Sequence, residues 1–223
     1  MGSIDERLAL ERATARRVNA AALAALMLAA LGAAPAALAQ PAAEPASAAA
    51  SASTATTTYA LDPTHTAVHW EIVHMGTSTI RGRFNKMAGN VQFDAKAKLL
   101  DVGITIETTS ADSGVPVLDV LLRGPEMLAT AANPQAFFVA RGVRFEGDIP
   151  REVRGEFTLR GINQPLTLRA TRWNCGLSPV FRREVCGGDF EGELIRSTFG
   201  ITHSLPFVAD KVRLLIQVEG IRQ

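Results

Sequence analysis

The chain has 223 residues, with 23 Lys and Arg against 22 Asp and Glu, a formal net charge of +1, and two Cys. Charge this balanced and interspersed argues against nucleic-acid binding, which needs a concentrated basic face. The length permits one or two domains, but the first quarter has the composition of neither.

Residues 1–39 carry Arg7, Arg12, Arg16 and Arg17, then an apolar run from Ala20 to Leu31, then Ala37-Leu38-Ala39. That order of positive region, short apolar core and small residues predicts a secretory signal peptide cut after Ala39, and hence a periplasmic protein. The apolar run is too short to cross a ~30 Å hydrocarbon layer comfortably; an uncleaved anchor is the alternative. Residues 40–58 are almost all Ala, Ser, Thr and Pro, with nothing large to bury, and read as a disordered linker. The folded domain is expected over 59–223, long enough for one sizeable core. Its net charge is again +1, because four Arg (7, 12, 16 and 17) and four acids (Asp5, Glu6, Glu11 and Glu44) drop out together.

Across that domain apolar residues recur with a period of two, the signature of strands with one buried face. In chain order the alternating runs are Val68-Trp70-Ile72, Ile80 to Phe84, Val91 to Phe93 and Val102-Ile104-Ile106. Between 116 and 132 the period changes. Val117, Leu118, Leu121, Leu122 and Leu128 fall at helical spacing, with Pro125 interrupting, so a helix or two short helical turns should cover an end or side of the sheet. Alternation resumes at Phe137 to Phe145, Val153 to Leu159, Leu166-Leu168, Phe190 to Ile195 and Val212 to Val218. The stretch Gly161-Ile162-Asn163-Gln164-Pro165 lies between two runs and reads as a hairpin connection. Eight or nine antiparallel strands of this kind make either a sandwich or a closed barrel, and the pattern alone leaves both open.

Cys175 and Cys186 close a short loop with no His within ten residues of either, so an exported protein is expected to pair them as a disulfide rather than bind zinc. Of the four His, His65 and His69 would lie about 13 Å apart along a strand, while His69 and His74 have opposite parity. Only His203 is free to join one of them. No metal site and no cofactor are expected. No nucleophile-elbow, P-loop or dinucleotide motif occurs. The nearest catalytic arrangement would combine His65 with Asp62 and Ser197, and nothing in the spacing requires it. His65, following Asp62-Pro63, is expected to tie down the loop entering the next strand, and no catalytic residue is assigned.

Several segments resemble YceI-like proteins, the lipid- or polyisoprenoid-binding barrels. Tyr59-Ala60-Leu61-Asp62-Pro63-Thr64-His65-Thr66-Ala67-Val68-His69-Trp70 is similar to that family's opening Y-x-x-D-P-x-H-S-x-V-x-F. His74-Met75-Gly76 and Ile80-Arg81-Gly82-Arg83-Phe84 continue the likeness. Gly155 to Leu168 resembles G-x-L-T-x-x-G-x-T-x-P-V-x-L, and Arg196 to Ile201 resembles R-S-D-F-G-I. The Cys175–Cys186 loop is similar to one exported branch. Two departures stand out. Where members often carry R-D-x-H-L, this chain has Leu118-Asp119-Val120-Leu121-Leu122, and Thr198 replaces the usual Asp. Both make that end more apolar.

The resemblance implies an all-β fold, an antiparallel eight-stranded lipocalin-like barrel with a short helical segment near 116–132. It also implies a non-enzymatic function, binding a polyisoprenoid or similar lipid as a carrier or sequestering protein. With the apolar faces turned inward, the lumen would be lined by Trp70, Ile72, Phe84, Phe93, Ile104, Ile106, Phe138, Phe157, Leu159, Leu168, Leu214 and Ile216. Leu118, Leu121, Leu122 and Met127 would gate an open end or simply cap it. The competing readings are an exported lipid-modifying enzyme using the same cavity and a solid barrel that binds a partner on its outer face. Contact with a membrane or membrane protein, and a homodimer, remain open.

Overall fold

A computed structural model of the protein describes residues 56–223. The expected signal peptide and the expected linker up to residue 55 lie outside the described residues. The remainder of that linker does not: strand β1, Thr57–Leu61, takes up Thr57 and Thr58, because they pair with Gln92 and Phe93. The other strands are β2 (Ala67–His74), β3 (Ser78–Phe84), β4 (Met87–Asp94), β5 (Leu99–Glu107), β6 (Ala111–Asp112), β7 (Gln135–Arg144), β8 (Glu152–Leu159), β9 (Ile162–Leu177), β10 (Glu184–Ile195) and β11 (Val208–Arg222). Among the described residues one α-helix, α1 (Pro116–Arg123), precedes β7.

These strands form a closed antiparallel ring of eight, in the order β1-β4-β5-β7-β8-β9-β10-β11 and back to β1. The three remaining strands extend the walls of that ring. β2 pairs with the first part of β11 and β1 with its last part, so β1 and β2 are two pieces of one interrupted strand. In the same way β3 continues into β4 and β5 into β6, since β3 pairs with β2 and β6 while β4 pairs with β1 and β5. Closure leaves no long unpaired edge. The sandwich alternative is thereby set aside.

Two bulges adjust which residues face inward. In β7, Ala136, Phe138 and Ala140 point in, but Val143 points in as well, a change of parity. It arises where Arg141 and Gly142 together oppose Asp101: Gly142 takes φ 61°, and its N–H donates to the Asp101 carboxylate at 2.7 Å. In β9, opposite Asp189 and Phe190 of β10, the register shifts, leaving Thr171 as the extra residue and turning Trp173 inward. The β8–β9 hairpin turn is Arg160-Gly161, both at positive φ (54° and 73°), the backbone of a two-residue primed turn. This corrects the expected connection, because Ile162 to Pro165 already belong to β9. Two inward-facing glycines leave room for large rings. A Cβ on Gly82 would lie 2.1 Å from the Trp70 indole, and one on Gly155 would lie 2.8 Å from the Phe138 ring.

Helix α1 starts at Pro116, whose ring suits the first helical turn, and Gly124 caps it just before Pro125. It lies at one end of the barrel with the β2–β3 turn, the β8–β9 turn and the 3₁₀ turn Arg196–Phe199. This is the helical end. The opposite, terminal end carries the β4–β5, β7–β8 and β9–β10 connections, and there the Gln223 N–H donates to the Thr58 carbonyl at 2.9 Å.

Candidate functional site

The barrel is hollow. A cavity of about 680 Å³ runs along its axis and touches Leu118, Leu121, Leu122 and Met127 at the helical end and Lys98, Asp148, Asn174 and Glu184 at the terminal end. That volume lies inside the range of small-molecule sites, roughly 300–1,000 Å³. All twelve residues expected on the lumen lie on its wall: Trp70, Ile72, Phe84, Phe93, Ile104, Ile106, Phe138, Phe157, Leu159, Leu168, Leu214 and Ile216. The reason is the inward–outward alternation of the strands that carry them, which β7 and β9 keep up to their bulges and β11 keeps from Val212 onward. A cavity of this size also disagrees with a solid barrel.

Sequence reasoning missed several large wall residues. Phe145 and Trp173 have the wrong parity for their runs, and only the bulges at Gly142 and Thr171 bring them in. With Phe93 and Phe190 they build an aromatic chain around the terminal half. Phe93 and Phe145 centroids are 5.2 Å apart, Phe145 and Trp173 6.1 Å, and Trp173 and Phe190 6.2 Å, the last two edge-on. The Arg141-Gly142 dipeptide was the one available signal for the first bulge.

Polar groups meet the cavity chiefly near its ends. At the terminal end the buried Tyr59 hydroxyl donates to Glu184 at 2.9 Å, and burial together with that carboxylate pushes its pKa up to about 12. Lys98 reaches across from the β4–β5 turn to the Gly147 carbonyl at 3.1 Å. Cys175 and Cys186 sit directly opposite each other on β9 and β10 and are joined as a disulfide, as expected. At the helical end Arg196 is 3% exposed, and its guanidinium donates to the carbonyls of Ala209, Val208, Ile201 and His203 at 2.8–3.0 Å. Burial lowers its pKa. These four bonds hold the 201–209 segment at the helical end.

The interruption between β1 and β2 explains the Asp62–Thr66 motif. Thr66 substitutes its hydroxyl for a missing backbone partner, accepting from the Glu219 N–H at 3.2 Å and donating to the Glu219 carbonyl at 3.3 Å. Asp62 accepts from the Thr64 N–H (2.9 Å), the Thr64 hydroxyl (2.7 Å) and His65 Nδ1 (2.6 Å). Burial alone would raise the Asp62 pKa, but the bonds from His65 and Thr64 outweigh it and bring it down to about 2. The same bond raises the pKa of His65. His65 therefore anchors this loop. Glu219 completes a set of three potential metal ligands with Asp62 and His65, all within 4.8 Å, but His65 Nδ1 is already committed to Asp62. His203 does not join them: it pairs with Glu126 at 2.7 Å, at the helical end.

The arrangement of His65 with Asp62 and Ser197 is not assembled as a catalytic group. Ser197 donates its hydroxyl to Asp210 at 2.6 Å, whereas Asp62 is bonded to Glu219. Asp210 and Glu219 are nine residues apart on β11, about 30 Å in extended chain.

A closed eight-stranded barrel with this motif at the break between its first two strands can be compared with known proteins. The YceI-like domain profile matches residues 59–220. The chain belongs to the YceI-like family. The proteins named YceI from Salmonella agona and Salmonella dublin are each 36% identical to it over 160 residues, 71% of this chain and 83% of theirs. Among solved structures, BcnA of Burkholderia cenocepacia superposes with a TM-score of 0.58 at 21% identity, covering 71% of this chain and 98% of BcnA. A polyisoprenoid-binding domain from Saccharophagus degradans gives 0.50 at 14% identity, covering 74% and 98%. At these identities the structural likeness speaks for the fold alone.

Proposed function

We propose that the protein is a periplasmic carrier or sequestering protein for a polyisoprenoid or similar long apolar lipid held in the lumen, with a binding rather than a catalytic role. The observation that carries this reading is the cavity of about 680 Å³ walled almost wholly by aliphatic and aromatic side chains. Burying hydrocarbon contributes roughly 0.8 kcal/mol per CH₂, so a chain of a few isoprene units gains enough from burial alone to bind without specific polar contacts. The naming of one structural neighbour as a polyisoprenoid-binding domain supports the ligand class. The signal-like order of residues 1–39 and the Cys175–Cys186 disulfide both suit export to an oxidising compartment.

Mass spectrometry of an organic extract of the protein purified from its native host tests the reading, together with titration of added polyprenols. A prenyl lipid in the extract and saturable polyprenol binding are expected. A blank extract with no binding of added polyprenol overturns it.

A further inference from the structure

We propose that the helical end is a membrane-docking surface, with which the protein rests on an uncharged lipid bilayer so that its lumen faces the hydrocarbon. The proposal rests on the carrier reading for why a bilayer is visited: an apolar ligand has its reservoir there. Where the contact is made follows from exposed side chains. On α1, Val117 is 78% and Val120 71% exposed, although both are large and apolar, and the neighbouring Leu121 is both exposed and part of the cavity wall. Across the same end Met75 in the β2–β3 turn is 61% exposed and Phe207 is 64% exposed. These two residues are joined by a bond from the Met75 N–H to the Phe207 carbonyl at 2.6 Å. A helix that is apolar on its outward as well as its inward face is expected to be covered on both. The inner face of α1 is covered by the barrel, through buried Leu122 and partly buried Leu118.

The occupant is indicated by charge. The charged side chains on α1, on the turn after it and at the β8–β9 turn are drawn inward or paired. Asp119 accepts from the Ser113 N–H and hydroxyl, at 2.7 and 2.6 Å. Arg123 donates to the carbonyls of Thr109 and Ala111. Glu126 pairs with His203, and Arg160 donates to the Met127 carbonyl. A protein partner would call for hydrogen-bonding groups on the outer face, about one per 100–200 Å² of interface, whereas hydrocarbon calls for none and penalises unpaired charge. The outer face offered by Val117, Val120 and Leu121 matches the second. The terminal end also exposes apolar residues, Leu177 and Val180, but beside Arg182 and Arg183, so docking there would depend on anionic lipid.

The test is co-sedimentation of the full-length mature protein with phosphatidylcholine vesicles, with and without added anionic phosphatidylglycerol, at low and high salt. The double variant Val117→Asp/Val120→Asp is compared, since neither side chain lines the cavity. Its thermal melt and its binding of a short prenol delivered from ethanol serve as controls. The wild type should associate with pure phosphatidylcholine independently of salt, and the variant at least about tenfold less, with both controls unchanged. Failure of the wild type to associate, equal association of the variant, or association that needs phosphatidylglycerol and is lost at high salt overturns the proposal. Loss of prenol binding by both proteins would instead refute the carrier reading, leaving the vesicle result to be judged separately.

Discussion

Replacing Asp62 by Asn should lower stability most between about pH 4 and 6.5, and the reason lies in the strand interruption that lets β1 close the ring. The Asp62 side chain is 5% exposed and accepts three hydrogen bonds, two from Thr64 and one from His65. An Asn amide oxygen can keep the Thr64 bonds, but the amide nitrogen then faces protonated His65 Nδ1, donor against donor. Losing one bond to a buried carboxylate costs about 1.5–3 kcal/mol. The lower figure applies because the partner ring is exposed to solvent. The pH window follows from two opposite shifts. The Asp62 pKa falls from its ordinary 3.8 to about 2 on folding, so its contribution is complete above 3.8 and disappears as pH falls through 2. The His65 pKa is raised above its ordinary 6.5, so its share is complete below 6.5 and disappears as pH rises through the folded value. Above that, neutral His65 can accept from the Asn amide and the gap closes. Urea unfolding followed by the fluorescence of Trp70 and Trp173 measures it. With slopes of about 1–3 kcal/mol/M, the variant midpoint should fall by about 0.5–1.5 M at pH 5, and the difference should shrink as pH rises through the folded His65 value. Equal midpoints at pH 5, or a gap that widens with pH, would refute the reasoning.

Val102 lies midway along the cavity wall, and Val102→Trp should fill lumen with side chain. Displacing two CH₂ groups of ligand costs roughly 1.6 kcal/mol, so polyprenol titration should show binding more than about tenfold weaker in a protein with a native circular dichroism spectrum. The Cys175–Cys186 cross-link spans 11 positions, for which chain entropy predicts about 2.5–3 kcal/mol. Calorimetry of Cys175→Ser/Cys186→Ser should therefore give a melting temperature lower by about 5–12 °C, and reduction of the wild type should reproduce that shift.

Much of the site was legible because a strand's side chains alternate at a fixed period, independent of what the strand pairs with. Val153-Gly155-Phe157-Leu159 could face only one way together, and so could Val212-Leu214-Ile216-Val218. Once their apolar side is assigned inward, the wall residues on those strands follow. Local chemistry likewise marked the helical segment, through leucine spacing and Pro125, and it marked the anchoring loop through Asp62-Pro63.

What the chain order could not decide was anything depending on two strands at once. The parity changes at Gly142 and Thr171 are defined by mismatches with β5 and β10, for which Gly142 was the one hint in the sequence, so Phe145 and Trp173 stayed hidden. The turn at Arg160-Gly161 was misplaced by a few residues because Ile162 to Pro165 take their conformation from pairing with β8. Closure, and with it the choice of barrel over sandwich, needs β11 to pair with β10, β2 and β1 together. The hollow interior is a tertiary property in the same sense: alternation says which side chains point inward, but the radius of the closed ring decides whether they meet.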